Sequence, residues 1–106
     1  MVMDGTKLRH IVLFGFKDGT TEAEIAEIAR RFGVLAGEVP GITGFEWGAD
    51  NSPEGKAAGH SHCFMLTFDS EAARDAYLPH PKHAEFVAFA SRWIARALVV
   101  DYWARD

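Results

Sequence analysis

Hydrophobic and polar positions along the chain alternate between two periods. From Leu8 to Phe16 the even positions His10, Val12, Phe14 and Phe16 and the odd positions Ile11 and Leu13 are mostly apolar. That pattern predicts a strand covered on both faces. Lys17-Asp18-Gly19 then turns the chain. Thr21-Glu22-Ala23-Glu24 has the form of a capping box. Ile25, Ile28, Phe32 and Leu35 follow at spacings of three and four, which predicts an amphipathic helix. Gly37 and Pro40-Gly41 are expected to end it.

A second strand is expected over about Ile42–Ala49, then a loop over 50–59, rich in Gly, Asn, Ser and Pro. The third strand, about Ser61–Phe68, places His62, Phe64, Leu66 and Phe68 on one face and Cys63, Met65 and Thr67 on the other. Asp69-Ser70 caps a short helix through Tyr77. His80-Pro81 breaks it, because proline disfavours helical geometry in the residue before it. Pro81 suits the first turn of a new helix carrying Phe86, Phe89, Ala90 and Trp93. Leu98–Trp103 reads as a last strand.

The order predicts an α+β, ferredoxin-like βαββαβ fold: a four-stranded antiparallel sheet with helices on one face. One domain is expected across residues 1–106, with its core at about 8–103. The other sheet face, with Ile11, Leu13, Cys63 and Met65, would be bare in a lone chain and calls for a partner.

Composition sharpens this. Of 106 residues, 48% are hydrophobic and 12% aromatic, while a chain this short hides only about 60–70% of its unfolded surface. Surplus apolar surface must line a pocket or face a partner. The formal net charge is −4 and the basic residues are scattered. Neither nucleic acid nor an anionic membrane surface is an expected partner. No apolar run approaches the ~20 residues that span a bilayer. Met1 to Gly5 lacks the basic and apolar regions of a signal peptide. The single cysteine, Cys63, allows no internal disulfide and no Cys-based zinc site, as expected in the cytoplasm.

Some polar residues do not fit their apolar surroundings. His10 and His62 fall on strand faces otherwise built of Val, Phe and Leu, where neutral imidazoles can exchange protons. Asp101 interrupts Leu98-Val99-Val100-Asp101-Tyr102-Trp103, which is costly unless it is paired. Its plain reading is a strand-end residue reaching water; its functional reading is a carboxylate that orients a histidine. Tyr77-Leu78-Pro79-His80-Pro81-Lys82-His83 is a rigid bend flanked by Tyr77 and His83. His60 and His80 are weaker candidates. No three ligands are shown to converge, so no metal site is expected, and no phosphate-cradling loop is present.

These segments resemble the stress-responsive dimeric α/β-barrel (Dabb) family. The likeness runs through Arg9-His10-Ile11-Val12-Leu13-Phe14, Pro40-Gly41-Ile42, Phe45-Glu46-Trp47-Gly48 and His62 to Phe68. It is most specific in Arg74-Asp75-Ala76-Tyr77-Leu78-Pro79-His80-Pro81-Lys82-His83 and Val99-Val100-Asp101-Tyr102. The resemblance implies a homodimer whose sheets pack face to face into a barrel. It implies little about reaction, since most members have no established activity and a shared fold does not fix chemistry. One plant branch comprises polyketide cyclases, which close a poly-β-keto chain by aldol condensation without metal or organic cofactor. There a histidine paired with an aspartate is the base and a tyrosine holds the reacting carbonyl. The matching positions are His83, Asp101 and Tyr77. By the same resemblance His10 and His62 border the pocket, with Val12, Phe14, Phe64, Phe86, Phe89 and Trp93 as apolar walls.

Three readings follow. One is a cofactor-free enzyme acting by proton transfer on a small carbonyl or polyketide-like compound. Another is a non-catalytic dimeric binder of an apolar or aromatic molecule. The third is a relative of the monooxygenases that share the barrel.

Overall fold

The structure is a computed structural model and describes residues 7–105. The opening segment Met1 to Gly5, read above as no leader, lies outside them. The elements are β1 (Leu8–Phe16), α1 (Glu22–Glu38), β2 (Ile42–Ala49), β3 (His62–Phe68), α2 (Glu71–Tyr77), α3 (Pro81–Ala90) and β4 (Ile94–Trp103). The strands form one antiparallel sheet in the order β2-β3-β1-β4. This is the ferredoxin-like arrangement expected from the order of elements.

Local chemistry starts the helices where the sequence signals them. The Thr21 hydroxyl accepts from the Glu24 amide, and the Glu24 carboxylate accepts in return from the Thr21 amide. Two of the free amides at the start of α1 are thereby satisfied. Ile28, Phe32 and Leu35 then face the sheet and are almost fully buried. Phe32 meets Phe86 at 4.5 Å, Phe64 at 5.3 Å and Phe45 at 5.4 Å between ring centres. Each such side chain contributes about 1.5–3 kcal/mol by leaving water. Gly41, with φ +90°, makes the turn into β2, and a side chain there would run into Ala73 of α2.

Three boundaries differ from expectation. β4 begins at Ile94, four residues before Leu98. The Ile-Ala-Arg-Ala stretch carries little strand preference of its own; pairing with β1 supplies it, through Phe16 opposite Ile94 and Gly15 opposite Arg96, with a bulge between. Trp93 lies outside α3, which ends at Ala90. Its indole N–H donates to Glu24 across 2.8 Å, so it closes the start of α1 instead of extending α3. α1 runs through Gly37 to Glu38.

The face of the sheet away from the helices is open. Leu98, Val100 and Tyr102 are about half exposed there, beside the partly covered Ile11, Leu13, Cys63 and Met65. Among the described residues, no helix is long and apolar enough to cross a membrane.

Candidate functional site

Two short helices bring the site together under the sheet. Ser70 caps α2 by accepting from the Ala73 amide at 3.0 Å. Seven residues later Tyr77 ends the helix fully buried. One turn earlier, Arg74 lies on the same side of α2. His80 caps α3: its Nδ1 accepts from the Lys82 amide at 3.1 Å, and Pro81 occupies the first helical position. The histidine before the proline is thus a cap. The rigid bend sets His83 in the first turn, with its ring 4.3 Å from the ring of Tyr77.

His10 reaches the same place from β1. Its side chain is 6% exposed and meets Phe68 and Tyr77 edge-on, at 6.1 and 5.9 Å. Asp101 stands directly opposite His10 in the β1–β4 pairing. The two side chains therefore project to one face. His10 Nδ1–H donates to Asp101 Oδ1 across 2.7 Å. A proton held on Nδ1 leaves Nε2 as the free lone pair. The other carboxylate oxygen, Oδ2, accepts from Arg74 Nη1 at 3.2 Å.

This corrects the expected pairing of His83 with Asp101. Both Asp101 oxygens are taken, by His10 and by Arg74. His83 Nδ1–H donates instead to the Leu78 carbonyl at 2.9 Å. His83 stays in the cluster through its ring contact with Tyr77.

Tyr77 carries the unmet requirement. Its hydroxyl is the one buried side-chain polar atom without a partner among the described residues. Leaving such a group unpaired costs about 1–3 kcal/mol. Burial also pushes its pKa well above the usual phenol value, so it remains a proton donor.

The other expected site residues scatter. His62 shares a sheet face with His10 but pairs with Phe14, whereas His10 pairs with Leu66. Both lie early in their strands, and antiparallel pairing sends them to opposite ends of the sheet, about 13 Å apart at the usual strand rise. His62 sits between Phe16 and Trp47. Phe14, Phe64 and Phe86 are buried in the aromatic core. Val12 is buried two residues along β1 from His10. Trp93 is held at the start of α1. Arg74 was not singled out from the sequence, although its place three residues before Tyr77 puts it on the same helix face.

Residues 8–104 match the stress responsive A/B barrel domain. The chain belongs to this family. Among curated relatives of this A/B barrel domain, the stress-response A/B barrel domain-containing protein HS1 of Arabidopsis thaliana is 34% identical, over 90% of this chain and 87% of its own. Olivetolic acid cyclase of Cannabis sativa is 29% identical, over 92% and 97%. Among solved structures, a hydroxynitrile lyase from Passiflora edulis superposes with a TM-score of 0.84 at 27% identity, over 92% of this chain and 93% of its own. A dimeric ferredoxin-like protein of unknown function from Jannaschia superposes at 0.80 with 29% identity, over 92% and 99%.

The A/B barrel domain also carries a groove of about 530 Å³ on its open sheet face. Ile11, Leu13, Met65 and Leu98 form its floor, and Trp47 and His62 stand at the loop end. Cys63 lines it too; partial burial, and then the charge of Glu46, raise its thiol pKa, so it is a poor nucleophile. Among the described residues, no three His, Cys, Asp or Glu side chains cluster as metal ligands.

Proposed function

We propose that this A/B barrel domain is a cofactor-free enzyme that moves a proton on a small carbonyl-containing or carbonyl-forming compound. The observation that carries the reading is the half-buried 2.7 Å His10–Asp101 hydrogen bond beside the Tyr77 hydroxyl, which has no partner among the described residues. In this reading His10 Nε2 takes a proton from a carbon next to a carbonyl, leaving an enolate, or from a hydroxyl whose carbon becomes a carbonyl as its C–C bond breaks. In the second case the electron pair leaves with the carbanion, which then takes the proton from the imidazolium. Asp101 holds the imidazole and stabilises the imidazolium that forms. The Tyr77 hydroxyl donates to the substrate oxygen and so receives in the complex the partner it otherwise lacks. Each role has a familiar scale: about 10²–10⁴-fold for a placed base and about 10²–10³-fold for a donor to a developing oxyanion. His83, with Nδ1 engaged, offers Nε2 as a second proton carrier. A cyclase and a hydroxynitrile lyase among the relatives are both compatible with a base set beside a hydroxyl donor.

The site residues therefore read as His10, Asp101 and Tyr77 at the reacting atoms, with His83 beside them. The open sheet face reads as the seat of a second copy, since Leu98, Val100 and Tyr102 form an apolar patch there and the Jannaschia neighbour is dimeric. The groove on that face favours a second reading, carriage of an apolar or aromatic molecule between the two sheets. Native mass spectrometry recovering such a ligand unchanged would support it.

The test uses two probes: mandelonitrile, followed as benzaldehyde absorbance, and a short poly-β-keto thioester. Turnover of either should fall at least about 10²-fold in His10→Ala. Full activity in His10→Ala together with loss in His83→Ala would move the base to His83. Full activity in both variants would end the enzymatic reading of this cluster.

A further inference from the structure

We infer that Arg74 is a positioning residue: it holds the Asp101 carboxylate so that Oδ1 meets His10 Nδ1, and thereby sets the tautomer of His10. The inference rests on the reading of His10 as the base for its catalytic meaning, though not for its structural content.

Asp101 sits on β4, the edge strand, with its side chain 23% exposed. A carboxylate turns easily about its last torsion, and water is within reach of this one. β4 pairs with β1 on one side and forms an edge of the sheet on the other. Arg74 pins the carboxylate from α2, through Nη1 on Oδ2 at 3.2 Å. Its own guanidinium is held in turn, because Nε donates to Asp75 Oδ1 at 3.0 Å. Asp75, Arg74, Asp101 and His10 thus form a hydrogen-bonded chain from the exposed surface of α2 to a buried imidazole. The other titratable groups facing His10 are Tyr77 from α2 and, beyond it, His83 from α3. Neither supplies an acceptor for Nδ1–H. Among the described residues Asp101 is the acceptor that Nδ1–H meets, and Arg74 is what keeps it turned inward.

The clamp also decides between the two histidines. With Oδ2 on Arg74 and Oδ1 on His10, the carboxylate is turned toward β1 and α2, and His83 takes the Leu78 carbonyl instead. Loss of Arg74 frees Asp101 to turn toward solvent or toward His83.

The experiment is long-range ¹H–¹⁵N correlation of the histidine rings in the ¹⁵N-labelled full chain at neutral pH. Wild type should show His10 protonated on Nδ1 and bare on Nε2. In Arg74→Met the Nε2–H form should rise about tenfold, the scale of one charge-assisted hydrogen bond. Arg74→Lys, which keeps the cation without the fork, should restore much of the wild-type pattern. Arg74→Gln is recorded alongside, so that a misfolded methionine variant does not decide the matter; backbone amide spectra report folding. In an Asp101→Asn background, Arg74→Met should change His10 no further. A wild-type His10 pattern in folded Arg74→Met or Arg74→Gln overturns the proposal, as does an added change in the Asp101→Asn background. If the rings respond as stated while His10→Ala keeps full turnover, the role of Arg74 stands and the base assignment alone falls.

Discussion

Replacing Tyr77 by phenylalanine should make the protein more stable and less active at once. The ring is fully buried, against Phe68 and His10 on one side and His83 on the other. Phenylalanine keeps those contacts and removes only the hydroxyl. That hydroxyl has no partner among the described residues, and an unmet buried donor costs about 1–3 kcal/mol. The small void left behind takes back part of the gain, as methyl-sized deletions do. A net gain of about 1 kcal/mol remains, which for a domain of this size raises Tm by about 4–8 °C. Thermal and urea denaturation at matched protomer concentration would measure it, since the stability of a dimer would depend on concentration. Turnover by the same variant should fall about 10²-fold, the usual loss of an oxyanion donor. A Tyr77→Phe protein less stable than wild type by about 1 kcal/mol would show that the hydroxyl is already hydrogen-bonded at rest. Tyr77 would then be no waiting donor.

Other perturbations test other parts of the structure. Val100→Asp places a charge in the open sheet face and should give monomers in sedimentation at micromolar concentration, with unchanged helical circular dichroism; a persisting dimer would place the interface elsewhere. Gly59 has φ +83°, and a side chain there meets the Arg96 guanidinium, so Gly59→Ala should cost about 1–2 kcal/mol in urea unfolding. An unmoved midpoint would mean that the loop carries no such constraint. Glu27 bonds both Arg30 and Arg31, which hold its carboxyl at about 2 against an ordinary 4.5. A carboxylate depressed in the folded state lends stability that is present above its ordinary pKa and lost as pH falls to the folded value. Glu27→Gln should therefore flatten the acid loss of stability between about pH 4.5 and 2; parallel curves for variant and wild type would show these exposed pairs to be idle.

Much of this fold could be read along the chain because its signals are local. The capping box at Thr21, the three-and-four spacing from Ile25 to Leu35 and the His80-Pro81 break each lie within a few residues, and each fell where expected. The first half of β4 did not, because Ile94 to Ala97 become a strand only by pairing with β1. The candidate cluster was legible as a set of unusual residues but not as a set of partners. His10, Asp101, Tyr77 and His83 stand out as polar groups in apolar surroundings. Which histidine Asp101 meets depends on a register between the first and last strands, and no local pattern encodes it. The same blindness placed His10 and His62 together, since a face can be read from parity while the end of an antiparallel sheet cannot. Arg74 was invisible because an arginine on a helix is ordinarily a solvated one.

His10 and Asp101 stand 91 positions apart in the chain, and only the docking of β4 joins them. At ordinary rates of synthesis, roughly 5–20 s separate the emergence of the histidine from that of its carboxylate. Through that interval β1 is an unpaired sheet edge and the imidazole has nothing to fix its proton. Any chain cut short before β4 lacks Asp101 and with it the pair. The pair forms only when the last strand docks, so its presence reports that β4 has closed onto β1.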